Sequence, residues 1–338
     1  MNKLYIPEPF SGGILLSYKC TTECKHCMYA CSPERKADWI SERDAEKILT
    51  YLTGKIKASP HGPDGISINY GLHFTGGEPF LNYDLLLKLV QKAQSLNIPS
   101  TFVETNCFWC IDDKTTEEKL MHLKDAGLKG ILISVNPFIL EKVPCERTER
   151  AIKLSNKVFG ESVVVYQEFF YDQFKRLGIT GTLSFQEYLQ RAKDSLRYIE
   201  LLPMGRVAYR LGYLYRKFSA RKFFGESCMG ELTRPWHVHI DNYCNYMTGY
   251  CGGISLGDAR NLDLTCQGIG LDEYPILEAL VTDMKRLYEF AVKEFGYKEQ
   301  EKGYISKCHL CLDIRRHIAQ QADTFKELKP REFYFHLE

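Results

Sequence analysis

The fold is decided by residues 13–31, which read GILLSYKCTTECKHCMYAC. The first part, Gly13–Lys19, is short and mostly apolar, which predicts a β-strand. Four cysteines follow within twelve residues, at Cys20, Cys24, Cys27 and Cys31. Parallel α/β proteins place their chemistry on loops at the carboxyl ends of strands. The cysteines therefore stand where such a protein would hold a metal, in the loop before the first helix.

The spacing of the first three thiols favours an iron–sulfur cluster. The three thiolates of Cys20-x3-Cys24-x2-Cys27 can hold three irons of a [4Fe–4S] cube and leave the fourth iron open to another ligand. Structural zinc is the first alternative, but zinc ribbons use paired Cys-x2-Cys knuckles rather than this triple. Buried free cysteines are the second, and four cysteines in twelve residues argue against it.

The first two-thirds of the chain alternates short apolar runs with stretches of helical spacing. Strands are predicted at Gly13–Lys19, Ser67–Phe74, Thr101–Thr105, Gly130–Val135, Ser162–Gln167 and Tyr198–Pro203. Helices are predicted between them at Ser41–Ile56, Asp84–Leu96, Lys114–Ala126 and Thr148–Val158. Six βα units in series predict an α/β fold with a parallel sheet, arranged either as a barrel or as a doubly wound sheet.

The pattern changes after Gly205, and a smaller second domain is expected from about Gly225. Four elements are predicted there: a bridging helix over Tyr209–Phe224, a strand leading into a hairpin at His237–Asp241, a long helix over Tyr274–Phe295 and a helix over Cys308–Gln320.

Composition excludes some classes of function. The 338 residues are 26% charged and 44% apolar, with a net charge of +1, so nothing favours nucleic acid or an anionic membrane as the partner. The apolar runs are too short to span a membrane, and the N-terminus has no apolar signal-peptide core, which predicts a cytoplasmic protein. Thirteen cysteines in such a chain are more typical of metal ligands than of disulfides.

The first cysteine motif resembles the signature of the radical S-adenosylmethionine (SAM) superfamily. The resemblance implies a partial (β/α)6 TIM-like barrel. It also implies that the amino and carboxylate groups of SAM chelate the open iron. One electron then cleaves SAM to methionine and a 5′-deoxyadenosyl radical, which abstracts a substrate hydrogen.

Further strand-end motifs resemble those of the same family. Thr75-Gly76-Gly77-Glu78-Pro79 is similar to its GGEP motif, and the resemblance implies that Glu78 accepts from the SAM ammonium. Taken alone, the motif would be an ordinary Gly-Gly turn. The other positions that the resemblance assigns to the cofactor are His26, Glu104, Thr105, Asn106, Ser134, Asn136 and Arg206. Strand-end capping is an equal alternative for the residues that follow the third and fourth strands.

The C-terminal cysteines resemble the auxiliary-cluster domains of the family, called twitch or SPASM. No cysteine follows Cys311, so the twitch form with one auxiliary [4Fe–4S] cluster fits better. The resemblance implies four ligands, with Cys244 as the alternate and Cys266 as a further substitute; the four are Cys228, Cys251, Cys308 and Cys311. Zinc on the same thiolates stays open from spacing alone. The resulting domains are a barrel over residues 1–210, a bridging helix over 211–224 and a small α+β auxiliary-cluster domain over 225–338.

Three leftover thiols are candidates for a catalytic role. Cys31, Cys107 and Cys110 follow the first cluster loop or the third strand, and a thiol S–H can quench a carbon radical. The alternative is a buried small apolar side chain, a common role for free cysteine.

The substrate stays open at this level. The first hypothesis is modification of a peptide or protein side chain, and the second is oxidation or rearrangement of a small molecule. The third, a non-catalytic iron–sulfur or zinc protein, has no use for the Gly76-Gly77-Glu78 motif. A flavodoxin- or ferredoxin-type reductant is the expected partner of either enzyme.

Overall fold

A computed structural model describes residues 3–192, 201–248 and 250–338. The chain divides into two compact units. The sheet unit comprises Pro9–Cys24 and Cys31–Glu200, and the C-terminal unit comprises Met1–Glu8, Lys25–Ala30 and Leu201–Glu338. This division differs from domains at 1–210 and 225–338, because two short N-terminal segments and residues 201–210 group with the C-terminal part. Contacts between segments that are far apart in the sequence do not change the local composition, so composition could not predict this grouping.

Five consecutive parallel strands form the framework of the sheet unit. The strands of the whole chain are β1 (Lys3–Leu4), β2 (Ser11–Leu15), β3 (Gly71–Thr75), β4 (Phe102–Thr105), β5 (Gly130–Ser134), β6 (Val163–Tyr166), β7 (Val238–Ile240), β8 (Tyr246–Met247) and β9 (Ile269–Gly270). Within the sheet unit, β2 to β6 pair in chain order. This strand order is typical of the wall of a barrel. In a doubly wound sheet, the order of the strands would instead reverse near the centre of the sheet. Half of the predicted sixth strand, Tyr198–Pro203, lies outside the described residues, and the described half, residues 201–203, is not in a strand.

The predicted helices of this unit are confirmed, with ends that shift by up to four residues. The helices are α1 (Glu42–Leu52), α2 (Tyr83–Ser95), α3 (Asp113–Asp125), α4 (Pro137–Leu140), α5 (Cys145–Phe159), α6 (Glu168–Arg176) and α7 (Phe185–Ala192). The capping signal at the start of α1 is real, because the Ser41 hydroxyl accepts from the Asp44 amide at 3.0 Å. All residues of β2 and β3 are buried, as expected of a parallel sheet with both faces covered.

The C-terminal unit combines short strands with helices. Its helices are α8 (Arg206–Arg210), α9 (Met229–Leu232), α10 (Leu262–Cys266), α11 (Pro275–Thr282), α12 (Met284–Phe295) and α13 (Lys307–Gln321). Strands β7 and β8 pair antiparallel, which confirms the predicted hairpin. Strands β1 and β9 form a second antiparallel pair.

Two predicted helices of this unit are wrong. In place of the bridging helix over Tyr209–Phe224, α8 ends and two 3₁₀ turns follow, at Gly212–Leu214 and Ala220–Phe223. Aromatic residues and a glycine have low helix propensity, and no regular apolar stripe compensates for it here. The long helix over Tyr274–Phe295 is two helices, because Asp283 is extended and caps α12 by accepting from the Lys285 amide at 2.7 Å.

Within the described ranges, no helix combines the length and the apolar character that crossing a bilayer requires.

Candidate functional site

Glu78 joins the carboxyl ends of two neighbouring strands, β3 and β4. Its Oε1 accepts from the Thr105 hydroxyl at 3.0 Å and from the Phe80 amide at 3.2 Å. Its Oε2 accepts from the Asn106 amide at 2.8 Å. The side chain is 1% exposed. Parallel strands bring their carboxyl ends to one edge, and Glu78 with Thr105 and Asn106 forms a polar network at that edge.

The Glu78 carboxylate keeps capacity for one more donor. An ionised carboxylate has about four acceptor positions, and the three protein donors leave one on Oε2. Burial raises the pKa of Glu78 to about 7, and the hydrogen bonds from Asn106, Phe80 and Thr105 only partly oppose this shift. A cationic ligand would stabilise the ionised form, so an ammonium group fits this position.

Glu104 places a second acid at the same edge. Its Oε2 accepts from the Thr75 hydroxyl at 2.6 Å, and burial raises its pKa to about 7 against that hydrogen bond. A positive neighbour would stabilise the ionised form of both carboxyl groups. They therefore suit a ligand with ammonium and sulfonium charges, which are the positive groups of SAM.

The sulfurs of Cys20 and Cys24 lie beside this network, in the sheet unit. The Thr22 hydroxyl oxygen is 3.3 Å from both sulfurs. The Asn106 side-chain amide donates to the Cys20 sulfur at 3.7 Å, and that thiol also contacts the Gly77 carbonyl oxygen at 3.2 Å. The first cysteine, the glycine motif and the end of β4 therefore meet, as the strand-end positions predicted.

The third cysteine of the motif belongs to the C-terminal unit. The Arg206 amide donates to the Cys27 carbonyl oxygen at 3.1 Å, so the predicted Gly-Arg segment contacts the cysteine motif. Burial, followed by the charge of Arg206, lowers the pKa of His26 to about 4. His26 is therefore a neutral imidazole near pH 7, and its role at the cofactor stays a prediction.

The remaining positions after β3 and β5 have local roles that the structure defines. Pro79 opens a 3₁₀ turn over Pro79–Asn82, which Glu78 caps. The Asn136 side-chain oxygen accepts from the amides of Phe138 and Ile139 at 3.1 and 3.0 Å and so caps α4. Ser134 is the last residue of β5 and is partly buried. Contact of Ser134 and Asn136 with SAM stays a prediction.

Two of the three leftover thiols form a pair. Cys107 and Cys110 are fully buried, and burial, followed by a hydrogen bond with Cys110, raises the pKa of Cys107 well above its usual range. Cys107 therefore stays protonated, the form that carries a hydrogen to donate. Cys31 is also buried and precedes Ser32, whose amide donates to the Tyr18 carbonyl oxygen at 3.3 Å.

Two residues at this edge are not among the predicted site residues. The Trp109 indole donates to the Thr105 hydroxyl at 3.0 Å and stacks on Phe80 with ring centroids 3.9 Å apart, so it fixes the residue that holds Glu78. Thr22 contacts two cysteine sulfurs. Its position inside the cysteine loop was the only available signal.

Four thiols come together in the C-terminal unit, and they are the four predicted auxiliary ligands. Burial raises the pKa of Cys228, and Cys311, Cys251 and Cys308 raise it further. Burial and the neighbouring thiols likewise raise the pKa of Cys308 to about 12. Burial raises the pKa of Cys251 to about 11. A cation or a metal cluster would stabilise the four as thiolates.

Two side chains set the positions of these thiols. Ser306 caps α13 by accepting from the His309 amide at 3.0 Å, which places Cys308 and Cys311 in the first turns of the helix. Lys307 donates to the Ser227 carbonyl oxygen at 2.7 Å, which ties the start of α13 to the residue before Cys228.

The two cysteines predicted as substitute ligands, Cys244 and Cys266, lie in a turn and at the end of a helix. Cys244 lies in the turn between β7 and β8 with φ at 65°, a conformation that favours glycine, and its amide donates to the Asp241 carbonyl oxygen at 2.9 Å. Cys266 ends α10. All thirteen cysteines, each of them in a described range, are free of disulfides.

Comparison with known proteins finds similarity over part of the chain. Residues 13–141 match the family model of a 4Fe-4S single cluster domain. Over 145 residues the chain is 23% identical to the putative peptide biosynthesis protein YydG of Bacillus subtilis strain 168, a match that covers 43% of this chain. The match spans 41% of the length of that relative.

Solved structures with similar architecture have low sequence identity. BtrN in complex with AdoMet and 2-DOIA is 11% identical, with a TM-score of 0.43, over 82% of this chain and 88% of that one. SuiB of Streptococcus suis, bound to precursor peptide SuiA, is 14% identical, with a TM-score of 0.33, over 82% of this chain and 65% of that one.

Proposed function

We propose that this chain, whose residues 13–141 match a 4Fe-4S single cluster domain, is a radical SAM enzyme that cleaves SAM reductively to modify a side chain of a peptide. The observation that carries the proposal is the buried network of Glu78, Thr105 and Asn106 beside the Cys20 sulfur. It combines one cluster ligand with an acceptor for an ammonium group at a single strand edge.

Each residue of the site would have a distinct role in binding the cluster or SAM. Cys20, Cys24 and Cys27 would hold the cluster, which when loaded supplies the electron that splits SAM and so generates the hydrogen-abstracting radical. Glu78 would accept from an N–H of the SAM amino group at the position on Oε2 that no described residue fills. The neighbouring Asn106 would donate to a cluster sulfur and so keep the thiolate turned toward the site.

The peptide substrate is supported by one relative. YydG is described as a putative peptide biosynthesis protein, and the match covers 43% of this chain and 41% of that relative. We therefore propose a peptide as the substrate class and assign no bond to be attacked.

The test is anaerobic reconstitution followed by assay for 5′-deoxyadenosine with dithionite and SAM. Each short peptide found to be encoded beside the gene would serve as a candidate substrate, with the same peptide in scrambled order as its control. Formation of 5′-deoxyadenosine together with a mass change confined to the true peptide would support the proposal. Cleavage of SAM without any peptide change would refute the substrate class, and no cleavage at all would refute the enzyme.

We propose that Cys228, Cys251, Cys308 and Cys311 hold a second [4Fe–4S] cluster. Their thiols are close enough to raise one another's pKa. Counting iron and sulfide separates the alternatives, since two clusters give about eight irons and one cluster with zinc gives about four.

A reductant and a location complete the proposal. A flavodoxin- or ferredoxin-type protein would supply the electron, since the clusters store electrons but do not generate them. Oxygen-sensitive clusters and thirteen free cysteines suit the reducing cytoplasm.

SAM affinity is expected to depend on the ionisation of Glu78. Because burial holds its pKa at about 7, the carboxyl is partly protonated at neutral pH and must ionise to accept an ammonium. Affinity should therefore weaken about tenfold per pH unit below that pKa. Glu78→Gln should bind SAM at least about tenfold more weakly at pH 8, since the charge-assisted bond is lost.

Anaerobic calorimetry of SAM binding between pH 6 and 8 measures this effect. SAM itself titrates, so the quantity to compare is the difference between wild type and Glu78→Gln at each pH. Glu118→Gln, on the exposed face of α3, is the matched control and should follow wild type. A constant ratio of the two affinities across the range would contradict the role of Glu78.

A further inference from the structure

Arg315 lies one helical turn after Cys311 on α13. Its Nε donates to the Cys311 sulfur at 3.2 Å, and the residue is only 5% exposed. Positions four residues apart lie on the same helix face, so this contact follows directly from the helix.

The same guanidinium reaches the segment of a second thiol. Its Nη1 donates to the Gly252 carbonyl oxygen at 3.1 Å and to the Tyr334 hydroxyl at 2.7 Å. Tyr334 in turn donates to the Gly253 carbonyl oxygen. Since Gly252 follows Cys251, one side chain links the positions of two of the four thiols.

The charge of Arg315 is buried without a carboxylate. Arginine stays protonated in proteins, and all of the hydrogen bonds that the described residues make with Arg315 end on a thiol, a carbonyl oxygen or a phenol. A buried cation is costly unless an opposite charge lies near it. Cys311 and Cys251 are the thiols that act on this charge, and both can supply the opposite charge once they are ionised.

We propose that Arg315 is the internal counter-cation of the auxiliary cluster, a positioning residue that raises its reduction potential and retains its iron. The proposal rests on the assignment of that cluster to the four thiols. Hydrogen bonds and positive charge at the ligand sulfurs stabilise the more negative, reduced state of a cluster. Reduction adds one electron to the cluster and removes one from the reductant.

The experiment compares Arg315→Met with Arg316→Met in the reconstituted full chain. Arg316 is the next residue on the same helix, but it pairs with Glu338 near the surface. Arg315→Met should shift the reduction equilibrium of the auxiliary cluster at least tenfold toward the oxidised form, which is 59 mV for one electron. Arg316→Met should leave it unchanged. Redox titration followed by EPR measures the shift, and Cys24→Ala in all variants removes the signal of the SAM cluster.

Iron retention is the second readout. Arg315→Met should lose iron to a chelator several times faster than Arg316→Met. Arg315→Lys keeps the charge but not the forked geometry, so it should fall between wild type and Arg315→Met in both readouts. If Arg315→Met does not fold, Arg315→Lys against Arg316→Lys decides the matter.

The outcomes separate the two proposals. A wild-type potential and wild-type iron retention in the Arg315 variants would overturn the role of Arg315 and leave the auxiliary cluster in place. Zinc instead of iron in the wild type would overturn the cluster itself.

Discussion

Cys24→Ala is expected to abolish SAM cleavage while the C-terminal unit keeps its iron. Cys24 would supply one of three thiolates for the cluster, and the nearby Thr22 hydroxyl is a hard oxygen donor that does not replace a soft thiolate. The formation of 5′-deoxyadenosine should fall by more than about a hundredfold. This is a larger loss than follows the removal of a residue that only hydrogen-bonds to a metal ligand. Reconstituted iron should fall from about eight to about four.

Cys145→Ala is the matched control for this variant. Cys145 is also a buried cysteine of the sheet unit, at the start of α5, and no cluster is assigned to it. It should keep all of the iron and all of the SAM cleavage. Retained cleavage in Cys24→Ala would contradict the assignment of the first cluster, and loss of all iron would show that the two metal sites do not load independently.

The strand-end geometry could be predicted from the sequence because it follows from local rules. Strands β3 and β4, of five and four residues, each end at a polar motif, so that Gly76–Pro79 and Glu104–Asn106 lie at their carboxyl ends. Parallel pairing then brings these ends together without further information. The contact between Glu78 and Asn106 is therefore a consequence of register.

The helix errors came from the same local rules. Apolar spacing over Tyr274–Phe295 is continuous, yet Asp283 ends one helix and caps the next. An Asp in a helical stretch is compatible with either outcome until packing decides, because its side chain competes for backbone amides.

Contacts between distant residues could not be predicted from the sequence. Arg315 donates to the carbonyl oxygen of Gly252, and Trp109 stacks on Phe80. No periodicity relates these positions. Lys25–Ala30 group with the C-terminal unit, whereas the neighbouring Cys20 and Cys24 group with the sheet unit, and this division has the same cause. The motifs that carry the chemistry can thus be recognised in the sequence. The residues that support those motifs can be identified only from the packing.

Gly77→Ala is expected to disable the first cluster without removing any ligand. A Cβ atom at Gly77 would overlap the Lys19 carbonyl group and would lie 2.9 Å from the Cys20 amide nitrogen. These are backbone atoms, which cannot rotate away as a flexible side chain can. The strain must therefore be relieved by moving the Lys19–Cys20 peptide, which carries the first ligand.

The same movement would break two further bonds. The Gly77 amide donates to the Ser17 carbonyl oxygen at 2.7 Å, and the Glu78 amide donates to the Lys19 carbonyl oxygen at 3.0 Å. Overpacking of this kind costs about 1–3 kcal/mol, and the two bonds add about 1 kcal/mol each. Gly77→Ala should therefore lower the melting temperature, load about four irons instead of about eight, and lose most SAM cleavage.

Gly230→Ala separates this steric effect from the general effect of replacing a glycine. No atom lies within 4 Å of a Cβ added at Gly230, which is in α9, and alanine is up to about 1 kcal/mol better than glycine in a helix. That variant should be at least as stable as wild type and should cleave SAM at the wild-type rate. Full iron and normal cleavage in Gly77→Ala would mean that the cysteine loop can move away from the glycine motif. The close approach of these two segments would then not be what holds Cys20 in place for the cluster.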